Sequence, residues 1–393
     1  MNTTHRNDGQ RALDRHIENG SLPGLVALRA QGNEIKVYMA GNQSLRDTPP
    51  MGRDTIFRIA SMTKPVAAAA AMMLVDDGAL SLDDAIDPWI PELADRRVLR
   101  ALDGPLDDTV PAHRPLTLRD LLTMRMGLGY ILARSDDYPI QHAIKDLNIL
   151  QGMPRLQEWP DVDTWIAGIG TLPLMAQPGE RWMYDLSLEV LGVLVSRVSG
   201  LSLGDLLQER LFAPLKMKDT GFFVPPEKQS RLATAYESGP AGEGLRVYDT
   251  PEDGGWSRMP PFHSAAAGLA ATADDYRAFL QLLLDRGVAA GTRLLSEKSV
   301  DLMTRDHLTE AQRNANRIFL GAHSGWGFGL AVNREVGPTG ERPGRYGWTG
   351  GIGTTAYADP NSRRIGILLT QRLLDSPRPP EVFDDFWAHF HDI

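Results

Sequence analysis

Cysteine is absent from all 393 residues. That excludes disulfide staples, a thiol nucleophile and thiolate metal sites. Histidine is sparse, with nine residues and no H-E-x-x-H spacing, so a metal-dependent hydrolase has no motif to rest on and no metal or cofactor is expected. Basic residues number 41 against 50 acidic ones, a formal net charge of −9 with no lysine- or arginine-rich run. Nucleic acid is therefore not an expected partner. Long apolar runs are missing too. The longest, Val66 to Val75, falls well short of the roughly 20 residues that span a bilayer, so no membrane partner is expected. The first residues, "MNTTHRNDGQRALDRHIENG", have no apolar core of the kind an export signal requires, and a cytoplasmic location is expected.

What is present suits a soluble, well-packed protein: 42% of residues are hydrophobic and 23% charged. The length accommodates two or three domain-sized units, or one large fold with an insertion. Residues 8–18 read as a polar helix. "GLVALRA" and "EIKVYMAG" follow as strands separated by "QGN", a hairpin signal. A long helical middle section contains "LTLRDLLTMRMGLGY", where Thr117 and Asp120 make a variant capping box. Leu188, Leu191, Leu194, Val195 and Val198 form a helical stripe ended by Gly200. Thr272 caps a further helix, with Asp275 three residues on. Near the C-terminus "GWGFGLAV", "GTTAYADP" and "RRIGILLTQR" read as strands, the last two joined by a turn at 359–362, and "PPEVFDDFWAHFHDI" as an amphipathic helix. Strands at both ends with helices between predict one α+β fold: an antiparallel sheet flanked by helices. Residues 1–85 and 226–393 are expected to form a discontinuous α/β domain, with a mostly helical domain over 86–225 and the site at their interface.

The chemistry centres on "FRIASMTKPVAAAAAMMLVDDGAL". Ser61 and Lys64 are one helical turn apart and share a face. A serine hydroxyl needs a base before it attacks, and Ser-Lys pairs supply one. Free lysine, with a pKa near 10.4, is neutral in only about one molecule in a thousand at neutral pH. Burial against the alanine run is expected to lower that value. Alone the spacing is weak, since Ser61 as a helix cap and Lys64 as a solvated first-turn residue fit it equally. Tyr184, at a loop-to-helix junction in "PGERWMYDLSLEVLG", is a candidate to exchange a proton with Ser61. In "GRYGWTGGIGTTAY" four glycines lie between Gly347 and Gly353 and permit close backbone approach. The amides of Ser61 and Gly351 are candidate oxyanion donors.

Together Ser61-Met62-Thr63-Lys64, Tyr184 and Trp348-Thr349-Gly350 resemble the S-x-x-K, Y-x-N and K-T-G elements of class C β-lactamase-like serine hydrolases. The resemblance extends over most of the chain. "LSLDDAIDPWIPEL", "LRDLLTMRMGLGY", "PGERWMYDLSLEVLG", "GLAATADDYRAFLQLLL" and "GWGFGLAV" are similar to segments of the family VIII carboxylesterases of that superfamily. It implies a β-lactamase/transpeptidase-like fold and an acyl-enzyme on Ser61, with Lys64 and Tyr184 as the proton-handling pair. It further implies an oxyanion hole from the Ser61 and Gly351 amides, and a substrate pocket including Trp348, Tyr130, Thr349 and Gly350. The partner it implies is a small-molecule ester; the oligomeric state has no signature.

Two departures matter. Leu186 replaces the Y-x-N asparagine, and Trp348 stands where the K-T-G lysine would be. An indole offers an apolar face and one donor in place of a cation. Recognition should move from anionic β-lactams towards neutral esters, leaving β-lactamase, D-amino-acid peptidase and acyltransferase activities as alternatives. Met124, Met126 and Trp182 either extend the pocket or pack in the core. "GLSLG" matches the G-x-S-x-G elbow, but a helix precedes it, and Ser202 is expected to cap the next helix.

Overall fold

A computed structural model describes residues 7–45, 49–131, 137–149, 152–240 and 243–390. Its centre is a seven-stranded antiparallel sheet drawn from both ends of the chain. The strands are β1 (Gly24–Gln31), β2 (Glu34–Gly41), β3 (Ser324–Trp326), β4 (Ala331–Asn333), β5 (Tyr346–Gly350), β6 (Thr354–Asp359) and β7 (Arg364–Thr370). Their spatial order is β3-β4-β5-β6-β7-β1-β2. The first pair closes where Gln31 meets Glu34, and Gly32 takes the positive φ (57°) that a two-residue hairpin loop demands. At the turn after β6 the Asp359 carboxylate accepts from the Asn361 amide (2.9 Å) and the Ser362 hydroxyl (2.6 Å). "GWGFGLAV" is not one strand but two. Residues 327–330 turn between β3 and β4, because Gly329 must press on helical backbone: a Cβ there would lie 2.6 Å from the Lys64 carbonyl.

Helices cover the sheet. On one face α1 (Asp8–Glu18) packs with α8 (Glu381–Ala388) over a cluster of Leu13, Leu25, Leu368, Phe383 and Phe386. Towards the other face lie α2 (Thr63–Asp76), α3 (Leu118–Leu122), α4 (Leu186–Ser199), α5 (Leu203–Leu207), α6 (Ala273–Leu284) and, on the approach to β3, α7 (Arg317–Leu320). Helix α2 is apolar on every side and is buried accordingly, Ala67 to Ala71 being at most 1% exposed. Small side chains let α4 lie close against it. The caps follow their residue chemistry: Thr117 and Asp120 make a full capping box, Thr272 accepts from the Asp275 amide, and Gly200 ends α4 in the left-handed conformation. Ser202 caps α5 through the Asp205 amide, a structural task that accounts for the G-x-S-x-G pattern. Among the described residues no single helix is long and apolar enough to cross a membrane.

Candidate active site

Ser61 does not cap α2. It sits in a 3-10 turn, Ala60–Met62, ahead of the helix, and the helix begins without a side-chain cap. Ala60 is forced to φ 42°, a left-handed conformation that an alanine adopts only under constraint from its surroundings. The constraint comes from both sides of Ile59. Its amide donates to the Leu269 carbonyl at 3.0 Å, and its own carbonyl accepts from Thr354 Oγ1 at 3.2 Å. Gly350 completes the clasp: a Cβ there would lie 2.2 Å from the Ile59 oxygen, so only glycine lets the end of β5 meet the serine turn. Gly351 follows directly, partly exposed beside that turn, with Met153 lying over it.

Lys64 is fully buried, and its Nζ has three acceptors. These are Ser61 Oγ at 2.9 Å, the Ala266 carbonyl at 2.8 Å and Asp185 Oδ1 at 2.5 Å. Two of these contacts are hydrogen bonds and the third is an ion pair, a setting that suits an ammonium. Burial works to lower the Lys64 pKa, but Asp185 and then Tyr184 outweigh it, and the value is raised. The expectation that the alanine wall strips Lys64 of its charge is therefore corrected: a carboxylate that the S-x-x-K pattern does not contain keeps the charge in place.

Tyr184 lies over the same ammonium, with Nζ 4.6 Å from its ring centre. Its oxygen accepts from Trp348 Nε1 at 2.9 Å. The indole's single donor is thus spent on the tyrosine. Trp348 is only 6% exposed and packs edge-on against Trp326, ring centres 4.7 Å apart. Strand alternation turns Thr349 to the opposite face, where its hydroxyl donates to Thr355 Oγ1 at 3.3 Å. Tyr130 reaches the site through its backbone, whose amide donates to the Tyr184 carbonyl at 2.7 Å. Its ring stands at the rim, 38% exposed and edge-on to Phe319. Phe319 in turn stacks on Tyr184 at 4.9 Å. Met124, Met126, Trp182 and Leu186 are buried. The structure thus brings Ser61, Lys64, Tyr184, Trp348, Gly350 and Gly351 together and leaves the Thr349 hydroxyl outside the group.

Four participants carry no signal in a three-motif search: Asp185, Glu189, Ala266 and Phe319. Asp185 holds φ 97°, ψ −60°, a sparsely populated region for any residue but glycine, at the very position that aims its carboxylate at Lys64. Glu189, one turn further along α4, is 2% exposed. It accepts from the Ser264 hydroxyl at 2.5 Å and the Ala266 amide at 3.3 Å, fixing the segment whose carbonyl receives Lys64. Gly192 admits that segment, since a Cβ there would meet Ala265 Cβ at 2.7 Å. A lone glutamate inside "LSLEVLGVLV" was the available clue.

Burial first, and Asp185 second, push Glu189 up to about 8. An acid raised in the folded state favours folding while it stays protonated. Its contribution is complete below about pH 4.5 and is lost as pH rises through about 8, a span worth about 3–5 kcal/mol. Denaturation at pH 5 and pH 8.5 should therefore show wild type losing ground to Glu189→Gln at the higher pH. A constant difference between the two proteins would contradict this.

Comparison with known proteins gives the family. The sequence pattern of the β-lactamase family matches residues 10–384. Protein Rv1367c of Mycobacterium tuberculosis (strain ATCC 25618 / H37Rv) is 41% identical over 94% of this chain and 90% of its own length. Esterase EstB of Burkholderia gladioli is 31% identical over 90% of this chain and 86% of its own. Among solved structures, EstCE1, described as a hydrolase with promiscuous acyltransferase activity, superposes with a TM-score of 0.79 at 25% identity, covering 97% of both chains. The antiparallel sheet, the buried helix α2 with Ser61 in the turn ahead of it, and these likenesses agree, and the chain belongs to the β-lactamase family, among relatives that include esterases.

Proposed function

We propose that the protein is a serine carboxylesterase that cleaves short- to medium-chain carboxylic esters through an acyl-enzyme on Ser61. The observation that carries this is the Lys64 ammonium bonded at once to Ser61 Oγ and Asp185, under a tyrosine whose oxygen faces an indole donor. An ammonium held opposite the Asp185 carboxylate has no lone pair to take a proton, so in this reading Lys64 is not the base. Tyr184 is. Its ring lies over the Lys64 ammonium, and its oxygen accepts from the Trp348 N–H at 2.9 Å. In the first half-reaction Ser61 Oγ bonds to the ester carbonyl carbon as its proton passes to the Tyr184 oxygen, while the phenol's own proton is handed towards the alcohol oxygen of the ester. The amides of Ser61 and Gly351 receive the oxyanion. Collapse expels the alcohol, which takes the proton from Tyr184; water then repeats the sequence and frees the acid. No cofactor enters these steps.

The aromatic rim formed by Tyr130 and Phe319, backed by the buried Trp182, supports a neutral, apolar ester rather than an anion. A second reading, transfer of the acyl group to an alcohol other than water, is favoured by the likeness to EstCE1. Incubation with a p-nitrophenyl phosphonate, followed by peptide mass mapping, tests the nucleophile. The adduct is expected on Ser61, and labelling of Ser202 or any other hydroxyl would overturn the assignment. Product analysis with added alcohol then separates hydrolysis from transfer.

A further inference from the structure

A separate, open cleft of about 840 Å³ carries Arg114, Arg119 and Arg125 on its walls, together with the carboxylates of Asp83, Asp120 and Glu180, the last accepting from the Gln177 amide at 3.1 Å. Two of these guanidiniums are matched. Arg114 donates twice to Asp120, at 2.5 and 2.9 Å, and Arg119 twice to Asp83, at 2.6 and 2.8 Å. Arg125 is not. Among the described residues its side chain makes one bond, from Nε to Thr123 Oγ1 at 2.9 Å, and no carboxylate lies at ion-pair distance. Burial first lowers its pKa and the Arg119 and Arg114 charges lower it further, against an opposing pull from Asp120. A guanidinium stays charged all the same. The fold therefore keeps a part-buried cation without a direct ion pair, attracted at longer range by Asp120 and Asp306, with open volume in front of it.

That combination fits a doubly charged tetrahedral oxyanion, which accepts parallel N–H bonds from a guanidinium fork. The His113 side chain adds a further donor on the wall. The volume exceeds what a bare phosphate fills and admits a small molecule carrying one. We propose that this cavity binds the phosphate group of a small anionic ligand through Arg125, at a site separate from the ester cleft.

Such a ligand would brace the scaffold of the cleft. The Arg125 carbonyl accepts from the Gly179 amide (2.7 Å), and the neighbouring Met124 carbonyl accepts from the Met183 amide (2.9 Å), one residue before Tyr184. Both sides of the cavity therefore continue into the two chain segments that position the tyrosine. Occupation should stabilise the folded protein by mass action.

Titration calorimetry at low ionic strength tests this with inorganic phosphate and, in parallel, glycerol 3-phosphate. Saturable binding with one site per chain is expected for wild type and, unchanged, for Ser61→Ala. Arg125→Ala should weaken it at least tenfold, while Arg125→Lys, which keeps the charge, should retain part of it. Saturating phosphate should raise the melting temperature of wild type by about 1–3 °C and leave that of Arg125→Ala unmoved. Tighter binding of glycerol 3-phosphate would identify an esterified phosphate as the ligand, and equal binding would identify free phosphate. Absence of saturable heat with either probe up to tens of millimolar, or equal affinity in wild type and both Arg125 variants, would overturn the proposal.

Discussion

Replacing Tyr184 with phenylalanine is expected to lower kcat for a p-nitrophenyl ester by about a thousandfold, with KM changed by less than about threefold. The substitution removes one oxygen and nothing else. The ring keeps its stack on Phe319 at 4.9 Å and its contact with Trp182 at 5.7 Å, so the cleft retains its shape and its grip on substrate. On the proposed mechanism, what disappears is the acceptor for the Ser61 proton and the donor to the leaving alcohol. Trp348 Nε1, which donates only to that oxygen, is left buried without a partner, a stability cost of about 1–3 kcal/mol. A kcat within tenfold of wild type would mean that another group takes the proton. Lys64, freed from its charge, would be the first suspect.

Changing Asp185 to asparagine tests the other half of the assignment. The side chain keeps its size, and its carbonyl can still accept from Lys64, but the charge opposite a fully buried ammonium is gone. Breaking a buried pair from one side costs about 3–5 kcal/mol, because the remaining charge is left uncompensated. The pH dependence fixes the mechanism. In wild type the Lys64 pKa is raised above the ordinary lysine value, so its contribution to stability is present below that value and is lost only as pH rises through the higher, folded-state one. Without Asp185, burial becomes the dominant influence and moves Lys64 the other way. The variant then loses stability as pH falls towards neutrality, where the lysine must charge. Urea denaturation should accordingly show the wild-type advantage greatest near pH 7 and shrinking towards pH 10. An advantage that does not vary with pH would refute the ammonium reading and return Lys64 to the role of base.

Local signals in the sequence were enough to place Ser61, Lys64 and Tyr184, because each lies in a short stretch whose spacing is itself the constraint. One helical turn brings Ser61 to Lys64, and no distant contact is needed to say so. Caps behaved in the same way. Thr117, Thr272 and Ser202 bond to amides three residues along, so their tasks are written within four positions. "GWGFGLAV" was misjudged because its bend answers to the Lys64 backbone, more than 250 positions earlier in the chain.

The tertiary structure alone decided the electrical state of the site. A lysine beside small apolar residues loses its proton if nothing else is near, and "SMTKPVAAAAA" names nothing else. Asp185 and Tyr184 arrive from chain positions at least 120 residues away, and together they outweigh the burial. Trp348 was legible as a lost lysine, yet its bond to Tyr184 was not, since the direction of an indole N–H depends on which strand face meets which loop. The chain by itself determined which atoms are capable of reacting, through residue type and spacing along one helix. Folding determined which of them holds the proton, because Coulomb interactions are set by distance in space and take no account of separation in sequence.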